Sequence, residues 1–407
     1  MNFYLEIENN NLNNYKLNNK IELQLIDTNK NLVFKKYYEI VSLEKEKIDK
    51  LENCENWDKI KKIGNPYELI YTTYNKKRKN DSISNYLPIS RSYFKMWEIF
   101  YNFDFFKYSN VKQKEKHNFA HLAEGPGGFM EASYNYRSKM TGKKNDLDTF
   151  TGITLKPTNE YIPDWNKIKK IFNSNNNVKI EYGNLYILED IQKYVDKFKN
   201  EKAHLVTADG GFDYSSNFNG QEVNSCQIIY SEIIVALNVL REKGCFVCKV
   251  FDLFTISMIQ ILYILACSFE HIYIYKPETS RPANSEKYLV CMYYKNNLEK
   301  GVLENLTSLI GVWNNYTNNE NNVNQSVIFK NLKVDNEFIK ELDKYNKKYI
   351  DTQMFYLSGT IELAKNKPNK EQYYDIIEGQ VEHAIKWCGK YDIEINKNSI
   401  YYKKNIV

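Results

Sequence analysis

Three stretches decide how this 407-residue chain folds: HLVTADGGF (204–212), CFVCKVFDLF (245–254) and HIYIYKPETSRPANSEKYLVC (271–291). Between them lie two segments of helical length. One, residues 221–241, shows an apolar face at Ile228, Ile229, Ile233, Leu237 and Leu240, and Gly244 then reads as its C-terminal cap region. Strand alternating with helix predicts an α/β fold with a mostly parallel sheet. Lys249 sits inside an apolar strand pattern (Cys245, Phe246, Val247, Cys248, Val250, Phe251). A lysine there is costly unless a carboxylate meets it. Asp209 closes the preceding strand pattern and Glu286 opens the last one. Groups at strand ends of a parallel sheet converge on the ligand crevice, so this region reads as an active site.

Upstream, residues 118–123 read as a short strand, and residues 130–137 open a helix. Between them runs Glu124-Gly125-Pro126-Gly127-Gly128-Phe129. A strand, a glycine turn and a helix allow close backbone approach to a ligand, as in nucleotide sites. The pattern is not GxGxxG, because Pro126 removes an N–H that a pyrophosphate cradle would use. It is not a P-loop either, since no Lys-Ser/Thr follows. An adenosine ligand without phosphates, such as S-adenosylmethionine, suits the turn better; taken alone, an ordinary tight turn is the competing reading.

Seven ordered pieces now stand in the chain: NPYELI (65–70), SRSYFKMWEI (90–99), AEGPGGFMEA (123–132), GITLKPTNEY (152–161), ADGGF (208–212), CKVFDLF (248–254) and KPETSRPANSEKYLVC (276–291). Together they resemble the FtsJ-like ribose 2′-O-methyltransferases. GITLKPTNEY and SRPANSE look more like the mRNA cap branch, as found in eukaryotes and large DNA viruses, than like the ribosomal-RNA members. The resemblance implies a Rossmann-like S-adenosylmethionine-dependent fold, a mostly parallel sheet with one antiparallel edge strand, and capped RNA as substrate. Other capping or transcription subunits are possible partners.

The family's tetrad, Lys-Asp-Lys-Glu, has a match at each position: Lys95, Asp209, Lys249 and Glu286. A ribose hydroxyl is a poor nucleophile, whereas a sulfonium methyl is already a good electrophile. Catalysis then amounts to removing a proton and holding oxygen, carbon and sulfur in line. Lys249 is expected to be the base, with the Lys95 ammonium favouring its neutral form and the two carboxylates fixing its direction. By resemblance, Ser90, Gly125, Pro126, Gly127, Gly128 and Phe129 lie along the cofactor, and Asp209 also meets its amino group. Asn184 stands where relatives usually carry an acid for the adenine amino group, a departure that loses the charge. Thr154 and Leu155 stand where many methyltransferases hold the ribose with an acid. Asn284 is expected at the ribose hydroxyl and Arg281 near RNA phosphate.

Net charge is only +5, which gives no whole-molecule basic field. Basic stretches at 76–79, 112–116 and 167–170 read equally as phosphate-tracking patches or solvated loops. No apolar run reaches membrane-spanning length, and the start lacks a signal-peptide pattern. Seven cysteines form no metal framework; Cys245 and Cys248 read as core thiols, and the odd count fits an intracellular, reducing compartment. Abundant Asn, Lys, Ile and Tyr reads as the coding bias of an AT-rich genome. With 34 tyrosines, no stacking pair for a cap guanine is nameable.

The expected division is a small N-terminal lobe (1–64), the catalytic core (65–300) and a mostly helical extension (301–407) without chemistry. In the lobe, 3–7 and 20–26 read as strands, 32–41 as extended, and the stretch from Leu43 as helix. Residues 76–86, 107–118 and 314–324 read as loops. Two alternatives to a cap enzyme remain: an FtsJ-like ribosomal or transfer RNA methyltransferase, and a non-catalytic RNA-binding subunit on the same fold. The intact tetrad argues against the second.

Overall fold

Strand and helix alternate through the middle of the chain as the apolar periods predict. Two strands, β1 (Phe3–Glu6) and β2 (Leu23–Asp27), and three helices, α1 (Lys35–Asp49), α2 (Trp57–Ile63) and α3 (Ser92–Asn102), come first. The alternating run is β3 (Asn118–Leu122), α4 (Gly128–Thr141), β4 (Thr149–Thr154), α5 (Asn166–Ile171), β5 (Val178–Tyr182), α6 (Leu188–Asp196), β6 (Ala203–Ala208), α7 (Gln221–Val239), β7 (Leu240–Val250), α8 (Ile256–Ser268), β8 (Phe269–Lys276) and β9 (Lys287–Tyr294). Then follow α9 (Lys300–Thr317), β10 (Gln325–Phe329), α10 (Asn336–Lys365), α11 (Lys370–Lys390) and α12 (Ile400–Lys404). The computed structural model describes residues 3–6, 17, 20–51, 57–72, 81–106, 115–142, 147–158, 162–172, 177–211, 218–319 and 325–404. The basic stretch 76–79, most of that at 112–116, and motif residues Phe212 and 159–161 lie outside them.

The main sheet has the order β1-β8-β9-β7-β6-β3-β4-β5. Strands β7, β6, β3, β4 and β5 are mutually parallel. The expected antiparallel edge is β1, paired with β8, and a second antiparallel strand, β9, lies between β7 and β8. This is the Rossmann-like methyltransferase arrangement. The chain turns one way from β3 to β4 and β5, and the other way to β6 and β7, so the order reverses between β3 and β6. At that switch point the carboxyl ends open a crevice, and both glycine turns, 124–128 and 209–211, sit there.

Helices cover both faces. On one, α6, α7, α8 and α9 bury Ile191, Ile233, Leu262 and Ile310 against Val206, Phe246 and Leu289. On the other, α3, α4 and α11 bury Phe94, Met130 and Trp387 with Phe119, Phe150 and Val247. Each such side chain contributes about 1.5–3 kcal/mol by leaving water. Among the described residues, no helix is long and apolar enough to cross a membrane. The six described cysteines are all buried.

Local patterns misled at three places. Residues 32–41, read as extended, enter α1, because Phe34, Val41 and Ile48 fall seven apart and make one buried helical face against α10. Gly244 does not cap α7. That helix ends at Val239 and passes into β7 through the extended Leu240, while Gly244 lies within the strand, where a Cβ would come within 2.8 Å of the Arg241 carbonyl oxygen. Residues 314–317 continue α9, which is held by buried Leu306, Ile310 and Trp313. The short strand β10 had no sequence signal; it pairs with β2 from Gln325↔Asp27 to Phe329↔Leu23.

Candidate active site

Asp209 follows the last residue of β6, and β7 lies alongside in the register Ala208↔Cys248, so Lys249 stands beside it. The Lys249 ammonium donates to the Asp209 carbonyl at 2.7 Å and lies 3.2 Å from the carboxylate Oδ1. From α3, Lys95 Nζ reaches both oxygens of Glu286, at 2.7 and 2.8 Å. The four sequence-predicted residues thus form two lysine–carboxylate pairs. Their side chains are 12–15% exposed, so most of each stays dry, and Lys249 also feels the Glu286 charge.

The charges do not act as the sequence reading expects. Burial alone would lower the Lys249 pKa, but Asp209, Glu286 and Glu232 outweigh it and the pKa rises. These carboxylates favour the charged form of Lys249, and Lys95 pairs with Glu286. Burial pushes Glu286 up, yet Lys95, Lys249 and Lys276 together hold it down at about 2.

The glycine turn is built from within. Glu124, fully buried, accepts hydrogen bonds from the Phe129 N–H and, at 3.0 Å, from the Met130 N–H in the first turn of α4. It therefore fills the helix N-terminus where a phosphate would otherwise sit. Its other oxygen meets His121 Nδ1 at 3.0 Å, and that ring also bonds Thr207 at 2.8 Å, tying β3, β6 and the turn together. S-adenosylmethionine fits this rim by the chemistry of its groups: a buried carboxylate already at the helix start disfavours phosphate, while Asp209 offers a carboxylate for a cationic ligand. The glycines answer to the protein itself. Gly127 has φ +108°, and a Cβ there would lie 3.0 Å from Ile168; at Gly128 it would collide with Ser90 and Ser92, and at Gly125 with the Pro163 carbonyl.

The remaining predicted cofactor residues lie at neighbouring strand ends. Pro126 and Phe129 belong to the turn itself. Thr154 ends β4 and is buried, and Leu155 after it is 43% exposed. Asn184 follows β5, but its Oδ1 already accepts from the Tyr186 N–H at 2.9 Å in a local turn. That turn fixes the amide and leaves the second lone pair of Oδ1 for another donor. On the substrate side, Arg281 Nε turns to Glu68 at 3.5 Å, a carboxylate it shares with Arg91. The Arg281 side chain is 37% exposed. Asn284 is exposed; its Oδ1 accepts from Lys276, leaving its NH2 to donate outward.

Compared with known proteins, residues 88–294, half of the chain, match the FtsJ-like methyltransferase family model. The chain belongs to the FtsJ-like methyltransferase family. Among its relatives is cap-specific mRNA (nucleoside-2′-O-)-methyltransferase 1 of Mus musculus, 34% identical over 249 residues, which are 58% of this chain and 28% of that protein. The protein of the same name from Xenopus laevis is 29% identical over 336 residues, covering 76% of this chain and 36% of its own. This chain therefore spans about a third of the length of these relatives. A ribosomal RNA methyltransferase structure from Plasmodium falciparum overlays 50% of this chain and 97% of its own at 15% identity, with a TM-score of 0.36, too low to carry weight.

In this FtsJ-like chain, several residues around the site escaped the sequence. The Tyr288 hydroxyl donates to Asp209 Oδ1 at 3.0 Å, from the β9 position paired with Lys249. Ser280 Oγ donates to Glu286 at 2.7 Å. Lys276 Nζ holds the Glu286 and Asn284 carbonyls at 2.7 and 2.9 Å. Tyr349 and Gln353 of α10 bond the carbonyls of Asn284 and Ala283 at 2.9 and 3.4 Å. Tyr288, Ser280 and Lys276 lie in or beside the quoted motif, and that proximity was the available signal. Nothing in the composition of α10 pointed to the site.

Proposed function

We propose that this chain methylates the ribose 2′-oxygen of mRNA near its 5′ cap, taking the methyl from S-adenosylmethionine. The reading rests on two neighbouring lysine–carboxylate pairs at the switch point of a methyltransferase sheet. Two cations and two anions can aim a hydroxyl and accept its proton without a metal ligand set. The bound cofactor would supply a methyl activated by sulfonium, and its positive charge beside Asp209 would offset the carboxylate that keeps Lys249 protonated. Lys249, as the amine, would take the hydroxyl proton as the ribose oxygen gains the methyl, and it would leave the step as an ammonium ion facing Asp209. The methyl–sulfur bond breaks in the same step, the electron pair staying on sulfur as the thioether of S-adenosylhomocysteine. Lys95 and Glu286 fix the hydroxyl's approach, and the Asn284 NH2 can donate to the ribose.

Support for a capped substrate comes from the relatives' names, from the SRPANSE stretch, and from a cavity of about 220 Å³ lined by Lys45, Trp57, Lys61, Gln221, Arg281 and Asn284. It adjoins Asn284, two residues from Glu286. An indole with Lys61 and Arg281 suits a guanine base and its phosphates, while Lys45 is paired with Asp252, and Trp57 Nε1 is buried there with no hydrogen-bond partner among the described residues. The test is to incubate short capped and uncapped RNAs of one sequence with labelled cofactor, then digest with nucleases to locate the methyl. Label on a ribose near the cap, at least about tenfold faster than on uncapped RNA, is expected. Equal labelling would favour a ribosomal or transfer RNA substrate, and no labelling of either would favour a non-catalytic subunit.

A further inference from the structure

The geometry points to Glu232 of α7 as a positioning residue for methyl transfer: it holds, from the opposite side, the single peptide group against which Lys249 is aimed. The Gly210 N–H and the Asp209 carbonyl belong to the same peptide. Glu232 Oε1 accepts from that N–H at 3.0 Å, and Lys249 Nζ donates to that carbonyl at 2.7 Å. A hydrogen-bonded line thus runs from carboxyl through amide to amine. With a second lysine proton turned to Asp209 Oδ1 at 3.2 Å, one direction of the nitrogen is left for the acceptor hydroxyl. Rotation of this peptide would break both bonds.

Glu232 is fully buried in a helix whose neighbours are Ile229, Ile233, Ile234 and Val235. An acid there is costly without a task. The approach is close: a Cβ at position 210 would lie 2.2 Å from Glu232 Oε1, so the glycine of ADGG makes room for this carboxyl. The ionisable groups facing Glu232 are Lys249 and Cys248 from β7 and Asp209 beyond β6; Cys248 Sγ lies 3.7 Å from Oε2. Burial first and Asp209 next raise the Glu232 pKa, against Lys249 and the Gly210 N–H, to about 8. Glu232 therefore ionises before Lys249, whose own pKa is raised, and the negative charge opposes the loss of the lysine proton.

The inference rests on the methyl-transfer reading with Lys249 as base. Turnover and Michaelis constants are measured against pH for the wild-type chain and for Glu232→Gln, Glu232→Met and Lys249→Met. Glutamine keeps an oxygen for the Gly210 N–H and removes the titrating charge. The rising limb of kcat should then move to lower pH by about half a unit or more. Methionine removes the acceptor, so kcat should fall about tenfold or more, with the Michaelis constants for RNA and cofactor within about threefold, and glutamine should recover most of that loss. A rising limb that Glu232→Gln leaves in place, or a methionine variant that raises the Michaelis constants instead of lowering kcat, overturns the assignment. If the methionine variant does not fold, the glutamine limb decides alone. Wild-type turnover in Lys249→Met, or no transfer by the wild-type chain, sinks the reading of the site itself; a lysine-dependent wild type with an unmoved glutamine limb sinks only Glu232.

Discussion

Lys249 was marked by its neighbours in sequence, since a lysine among Cys248, Val250 and Phe251 demands a carboxylate, and Asp209 meets it at 3.2 Å. Its charge state could not be read the same way, because three carboxylates from three elements raise its pKa. A base is active when neutral, so a raised pKa puts the rising limb of the rate on the alkaline side. Methyl transfer should increase with pH above neutrality, and a pH–rate profile flat from 6 to 9 would contradict Lys249 as the base. Lys249→Met should cut turnover by about 10²-fold or more. Calorimetry with S-adenosylhomocysteine should show affinity within a few-fold; unchanged turnover would remove the lysine from its role.

At the scale of elements, the glycine turn and α10 separate what a motif announces from what holds it. The motif at 124–129 was legible, yet its glycines answer to Ile168, Pro163 and two serines. Gly127→Val places a β-branched residue at φ +108° against Ile168, which costs about 1–3 kcal/mol. A lower thermal midpoint without any ligand is expected; an unchanged midpoint with weakened cofactor binding would instead assign the glycine to the ligand. Helix α10 carried no motif, but its Tyr349 hydroxyl secures the Asn284 carbonyl. Tyr349→Phe should cost about 1 kcal/mol of stability. It should also lower turnover on RNA a few-fold with cofactor affinity retained, and full turnover would show that Lys276 alone steadies the loop.

Across the whole molecule, buried ionisable groups set a pH window for stability. His117 and His204, at the start of β3 and β6, are lowered to about 4 and about 3 by burial first, with Arg137 acting on His117, and His117 and Arg241 acting on His204. Unfolded, each titrates near its ordinary value of about 6.5. Their stabilisation is whole above that value and is lost as pH falls towards 4 and 3. Glu222 and Glu232 are raised by burial, with Asp252 and Asp209 adding, to about 8. Their contribution has the opposite sign: full below about 4.3, where the unfolded groups titrate, and lost as pH rises through 8. Glu98, raised by burial to about 7, acts in the same direction, so the thermal midpoint should be higher at pH 6.5 than at pH 8. A midpoint that climbs steadily from 6.5 to 8 would show that these glutamates are ionised in the fold, and Glu222→Gln should flatten the alkaline decline.

Sequence alone settled the alternation of strand and helix, because periods of two and of three to four are local properties of the chain, and it marked Lys95, Asp209, Lys249 and Glu286 by their residue types within ordered motifs. Which lysine meets which carboxylate depended on strand register and on the docking of α3, contacts between residues as far apart as Lys95 and Glu286. The same holds for the β2–β10 pairing, for Tyr349 behind Asn284 and for Glu232 behind Gly210. A hydrogen bond across the fold leaves no periodic trace in the amino-acid order, and a pKa is a sum over every charge packed around the group. Those features became defined only when the sheet brought its strand ends together.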